Sequence, residues 1–234
     1  MNLLIKLFSI SILFTACENH SQIEVLNNEV VETPSIINEE EVFTEVKVDT
    51  KSWNDTDFVN ILELSDQFVL DMKYATTDNF IGEKVYDCPD CYLRYAVIQS
   101  LIIANNDFID NGVRIKFFDC YRPLDIQKRM WEILPDGRYV ANPNKSGSIH
   151  NRGGAVDITL VDSTGKELDM GTSFDHFGKE AHHDYEVLND TIKKNRNLLK
   201  EVMEKNGFKS LRTEWWHYSY QSHYNLSNSP IKCE

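Results

Sequence analysis

A break in charge near residue 57 decides how much of this 234-residue chain can pack. Eleven acids lie between Glu18 and Asp57, against two bases, Lys47 and Lys51. The Val and Ile residues among them keep no period, so they outline neither a helix face nor a strand. A self-repelling stretch without an apolar face buries too little surface to offset its ordering entropy. We read residues 18–57 as an acidic flexible linker. The fold must then come from residues 58–234, a length suited to one domain. Hydrophobic residues make up 41% of the chain and aromatics 11%, enough for a core. A net charge of −13 excludes a general nucleic-acid binder, which needs a basic face to displace phosphate counterions.

Upstream of the linker, Lys6 precedes the apolar run Leu7–Phe14, too short to span a bilayer. The run ends in Phe14-Thr15-Ala16-Cys17, which resembles a bacterial lipobox: small residues before a cysteine that becomes lipidated. Residues 1–17 are therefore expected to be a lipoprotein signal peptide. Cys17 would be the membrane anchor of an exported protein of the periplasm or cell envelope. That leaves Cys88, Cys91, Cys120 and Cys233 in an oxidising compartment. Cys88-Pro89-Asp90-Cys91 admits a structural zinc half-site or a redox pair. Without a second C-x-x-C, structural disulfides are the favoured reading. Four cysteines allow three pairings, and the sequence chooses none.

Within residues 58–234, helical and strand patterns mix without repeating. Phe68–Met72 reads as a strand. Val97, Leu101, Ala104 and Phe108 recur at helical spacing, predicting a helix over Ala96–Asn111 with Gly112 at its stop. Val113–Phe118 is β-rich. Pro123 opens a second helix, in its first turn, running to Ile133. Pro135–Ser148 is a polar loop, Ala155–Val161 an apolar strand, and Glu186–Asn206 a long helix closed by Gly207. Phe208–Tyr220 contains a last strand. The expected class is α+β, a small, mainly antiparallel sheet flanked by helices.

Two clusters carry chemistry. The first is Ser148-Ile149-His150-Asn151-Arg152-Gly153-Gly154-Ala155-Val156-Asp157; the second is Glu214-Trp215-Trp216-His217. His150, Asp157 and His217 form a two-His, one-carboxylate set, which leaves a fourth tetrahedral position open, as catalytic zinc requires. A nearby carboxylate that is not a ligand, Glu214, can serve as general base. Residues i and i+3 of a regular strand face opposite ways. Glu214 and His217 can therefore meet only if their strand bulges or ends between them. Gly153 and Gly154 allow a sharp turn between His150 and the strand of Asp157. Of Trp215 and Trp216, one is expected in the core and the other against the pocket. His182 and His183 read as loop or supporting groups; His20 and His223 read as exposed.

The motifs S148-x-H150-x-x-G153-x-A155-x-D157 and E214-x-x-H217 resemble the signature of the D-alanyl-D-alanine dipeptidases. These are VanX-type members of the lysostaphin/D-Ala-D-Ala carboxypeptidase/hedgehog metallopeptidases. Tyr74–Phe80, Asp119-Cys120-Tyr121-Arg122-Pro123, Met170–Asp175 and Glu214–Tyr218 extend the resemblance in consistent order from Phe68 to Tyr220. It implies a hedgehog/D-Ala-D-Ala metallopeptidase-like fold and one Zn2+ held by His150, Asp157 and His217. It implies that Glu214 takes a proton from the attacking water and passes it to the leaving amine. Arg122 would stabilise the oxyanion. Tyr74, Ser148 and Asp175 would hold a small dipeptide, with Asp175 paired to its ammonium group. Two other functions compete: a D,D-carboxypeptidase or endopeptidase acting on peptidoglycan stem peptides, and an inactive metal-containing binding module. Glu214 and Arg122 speak against the last, which needs neither.

Overall fold

The computed structural model describes residues 52–220 and 223–233, all within the unit Thr50–Glu234. The signal-peptide reading, Cys17 and His20 lie outside the described residues, as does the linker up to Lys51. In chain order the elements are β1 (Phe58–Asn60), β2 (Val69–Leu70), β3 (Tyr92–Arg94), α1 (Tyr95–Ile109), β4 (Val113–Asp119) and α2 (Leu124–Ile133), then β5 (Ala155–Asp162), α3 (Asp190–Lys205), β6 (Phe208–Leu211) and β7 (Glu214–Tyr220). The main sheet runs β2-β4-β5-β7-β6, and β1 pairs with β3 in a separate ribbon. In the main sheet β2 lies parallel to β4. The other pairings are antiparallel, which agrees with the expected α+β class.

Apolar spacing explains where the helices dock. α1 buries Val97, Leu101, Ala104 and Phe108, the predicted set, and packs on β4 and α3. α3 covers β6 and β7. Phe117, Leu160, Leu199 and Trp216 join one core with them. Each such side chain contributes roughly 1.5–3 kcal/mol on burial. α3 starts later than the pattern predicts: the Asn189 side chain caps it by accepting from the Ile192 N–H at 2.9 Å. Pro123 stands just before α2, not in its first turn, and its carbonyl accepts from the Gln127 N–H at 3.1 Å. Phe208–Tyr220 is a two-stranded hairpin, where the sequence predicts one strand.

The four cysteines of the domain form disulfides Cys88–Cys233 and Cys91–Cys120. The C-x-x-C is thus neither a zinc half-site nor a redox pair, because its two members bond elsewhere. Cys88–Cys233 ties down a C-terminal strap over residues 223–233. Along it the Ser227 N–H donates to the Asn151 carbonyl at 2.8 Å, and the Ser227 carbonyl accepts from the Leu124 N–H at 3.2 Å. Tyr121 and Tyr92 hydroxyls donate to the carbonyls of Ser229 and Lys232. The strap therefore clasps the segment after His150 and the start of α2.

Candidate active site

Strand register lines up the first part of the site. Asp119 of β4 stands opposite Asp157 of β5, and Asp157 opposite His217 of β7. Directly opposed residues share a face, so three polar side chains form a row across the sheet. Val156 and Ile158 point from the same strand into the apolar core. β7 departs from regular pairing here. Ser210 pairs with Tyr218 and the next residue, Leu211, with Glu214. Trp215, Trp216 and His217 bulge between these pairs. The bulge the sequence demands is present, and Glu214 and His217 line one cavity. Both tryptophans are buried. Trp216 lines the cavity, whereas the Trp215 indole N–H donates to Thr172 Oγ1 at 2.8 Å.

His150 arrives from a single 3-10 turn, His150–Arg152, before β5. Gly153 ends this turn with φ 72°, and a Cβ there would lie 2.4 Å from the Phe58 ring. Only glycine fits that backbone and that approach. His150 Nδ1 lies 2.8 Å from the Cys120 carbonyl, to which a protonated nitrogen donates. That tautomer frees the Nε2 lone pair. His217 Nε2 lies 3.2 Å from Ser219 Oγ, which can accept from a protonated Nε2 and so leave the Nδ1 lone pair for a metal. His150 Nε2 and His217 Nδ1 stand 3.2 Å apart. The Asp157 carboxylate reaches them at 3.4 and 2.9 Å.

Two lone pairs and a carboxylate aimed at one point repel one another unless a cation lies among them. Tetrahedral zinc with bonds of about 2.0–2.2 Å places its ligands roughly 3.3–3.6 Å apart, close to this spacing. The donor set therefore fits zinc. The electrostatics agree. Burial disfavours charge on His150, but Asp157 and Asp119 outweigh it and raise its pKa. Burial likewise opposes ionisation of Asp157, but His150 and His217 hold its pKa far below the usual carboxylate range.

All eight candidate residues of the domain line one cavity of about 310 Å³: Tyr74, Arg122, Ser148, His150, Asp157, Asp175, Glu214 and His217. Burial raises the pKa of Glu214. Burial, then Asp157, pushes Asp175 well above the carboxylate range. Its Oδ2 accepts from the Tyr74 hydroxyl at 3.1 Å. Asp175 is also the one non-glycine among the described residues with positive φ, at 59°. The Arg122 guanidinium lies 5.0 Å from the centre of the Tyr74 ring. Burial disfavours its charge, but Asp119 outweighs that and keeps it protonated. Ser148 lines the cavity and also accepts from the His150 N–H at 3.2 Å. His182 and His183 do not line the cavity; His182 sits near Asp184 and Arg212.

Three buried residues of the site escaped the sequence reading. Asp119 accepts from Arg122 Nη2, from the Tyr86 hydroxyl at 2.6 Å and from the Cys120 N–H at 2.9 Å. Gln127 Oε1 accepts from Arg122 Nη1 at 2.9 Å. Asn151 links the segments of Arg122 and Ser148. Asp119 had a signal, since it opens the motif that ends in Arg122-Pro123. Gln127 and Asn151 had none. Phe80 also lines the cavity, with Tyr139 and Phe177.

A family model described as D-ala-D-ala dipeptidase, peptidase M15, matches residues 54–232. The D-alanyl-D-alanine dipeptidase of Escherichia coli (strain K12) is 32% identical over 163 residues, 70% of this chain and 84% of that protein. That of Enterococcus faecium is 32% identical over 168 residues, 63% of this chain and 83% of the relative. That of Streptomyces coelicolor is 32% identical over 187 residues, covering 70% and 91%. A solved vancomycin-resistance D,D-pentapeptidase with Zn(II) aligns with TM-score 0.37 and 16% identity over 56% of this chain and 74% of that one, too remote to add weight.

Proposed function

The chain belongs to the peptidase M15 family of D-alanyl-D-alanine dipeptidases, and from that premise we propose that it hydrolyses free D-Ala-D-Ala with one zinc ion in cell-wall peptide turnover. The convergence of His150, Asp157 and His217 beside Glu214, Arg122 and Asp175 carries this reading. His150 Nε2, His217 Nδ1 and the Asp157 carboxylate would hold the metal. Zinc bound there would polarise a carbonyl and lower the pKa of water towards about 7.

The protein's own groups do the rest. Glu214 takes the proton of the attacking water and delivers it to the departing amine. Its partial burial suits that role, because desolvation raises its pKa above the ordinary carboxylate value and makes it a stronger base for the proton it takes up. Arg122 faces the oxygen on which charge develops. Its side chain lines the cavity, held by Asp119 and Gln127, where a fixed guanidinium can stabilise developing negative charge. Two alanines offer little apolar surface, so recognition must act on the charged ends. Asp175, half-buried and without an ion-pair partner among the described residues, supplies the partner for the ammonium group, with Tyr74 holding its carboxylate and Ser148 lining the same cavity.

We further propose that the chain is an exported lipoprotein, anchored to the membrane through Cys17 after removal of residues 1–16, with residues 18–57 as spacer to the domain from residue 58. The two disulfides support an oxidising compartment. The deciding assay compares free D-Ala-D-Ala, L-Ala-L-Ala and a pentapeptide ending in D-Ala-D-Ala, with and without chelator, alongside metal analysis. We expect chelator-sensitive cleavage of D-Ala-D-Ala and one zinc per chain. Faster cleavage of the pentapeptide would make the protein a D,D-carboxypeptidase instead. Zinc-replete protein that binds no metal would sink the reading.

A further inference from the structure

We propose that Asn151 is a positioning residue that sets Arg122 relative to the Ser148–His150 segment. The inference rests on the reading that Arg122 meets the reacting carbonyl. Asn151 is fully buried, and both ends of its amide are committed. Oδ1 accepts from the Ser148 N–H at 2.7 Å, and Nδ2 donates to the Arg122 carbonyl at 2.8 Å. Because one partner is an N–H and the other a C=O, only one orientation of the amide satisfies both. The backbone completes the link: the Arg122 N–H donates to the His150 carbonyl at 3.1 Å, and the Asn151 carbonyl takes the strap's Ser227 N–H.

The same amide reaches the far end of Arg122. Nδ2 also lies 3.5 Å from Gln127 Oε1, the oxygen that receives Arg122 Nη1. Gln127 Nε2 in turn donates to the carbonyl of Ala141 at 2.8 Å, in the cavity wall. Asn151 thus touches the main chain of Arg122 and, through Gln127, its guanidinium. The imidazole of His150 is held separately by the Cys120 carbonyl. Loss of Asn151 should therefore displace Arg122 while the metal ligands stay in place.

The test is a double-mutant cycle on the full, zinc-loaded chain with D-Ala-D-Ala, with zinc content and Tm measured in parallel. Asn151→Ala should lower kcat about 100-fold, the scale of a misplacement near 1 Å, with zinc content unchanged. In an Arg122→Ala background the same change should cost less than about twofold, because the residue it positions is gone. Asn151→Asp keeps the acceptor for Ser148 and sets a carboxylate against two oxygens. It should behave like the Ala variant, and it carries the cycle if Asn151→Ala does not fold. A purely structural role predicts a lower Tm with near-normal kcat per zinc-loaded chain, or losses that multiply across the cycle; either overturns the inference alone. An Arg122→Ala variant with wild-type kcat would overturn the role of Arg122 and this inference with it.

Discussion

Glu214 and His217 come from one short segment yet hold different positions, because three residues of β7 bulge between its regular pairings. His217 turns Nδ1 towards Asp157, while Glu214 pairs across the hairpin with Leu211 and reaches the cavity from its edge. Glu214→Ala should cut kcat by at least 10²–10⁴-fold, the range for a general acid–base group, and leave zinc bound. Loss of zinc together with activity would make Glu214 a ligand and unseat Asp157. At this scale the sequence exposes residues whose side chains do chemistry. His150, Asp157, Glu214 and His217 stand out by type and spacing. Asn151 and Gln127 do not, since they bond to backbone carbonyls, N–H groups or each other, and nothing in their type announces a buried network. The bulge was legible because geometry required it; the tautomer of His150 was not, since it depends on the Cys120 carbonyl, 30 residues away in sequence.

Long elements declare themselves and short ones do not. α1 and β4 follow from periodicity, whereas β1 and β3 have three residues each, too few for a pattern. The β6–β7 hairpin was hidden for another reason. Its turn is Arg212-Thr213, without the Asn, Asp or Gly that marks two-residue hairpin turns. The disulfide pairing was unreadable because it depends on which ends the topology brings together. Cys91–Cys120 joins the start of β3 to the end of β4, and the Cys120 carbonyl holds His150. Replacing both cysteines by serine should cost about 3–4 kcal/mol of stability by loop-closure entropy, read as a drop in denaturation midpoint. It should also weaken zinc binding in a chelator competition, because the carbonyl that orients His150 loses its brace. An unchanged midpoint would show that the crosslink adds nothing to the fold.

For the whole molecule, the family match begins at residue 54, near the end of the acidic segment 18–57. A chain beginning at Ser52 should keep its activity to within about tenfold, or 1.4 kcal/mol of transition-state stabilisation. A larger loss would place the acidic segment at the site. Stability should carry a separate pH signature. Burial, then Lys200 and Arg196, lowers the pKa of His183 to about 4. Below about 6.5 the unfolded chain takes up a proton there that the folded chain refuses. Stability is therefore whole above that pH and declines towards pH 4. Denaturation midpoints of His183→Gln should fall less steeply across this window than wild type; parallel curves would acquit His183.

Cys88 and Cys233 lie 145 residues apart, and every candidate residue of the site except Tyr74 lies between them. A protease that nicks this stretch once, for instance in the exposed turn at Gly137-Arg138, leaves two pieces still covalently joined. Such a chain should run as one species under non-reducing electrophoresis and as two after reduction. Outside the cell, where proteases are abundant and thiols scarce, a cut chain would keep its two halves together.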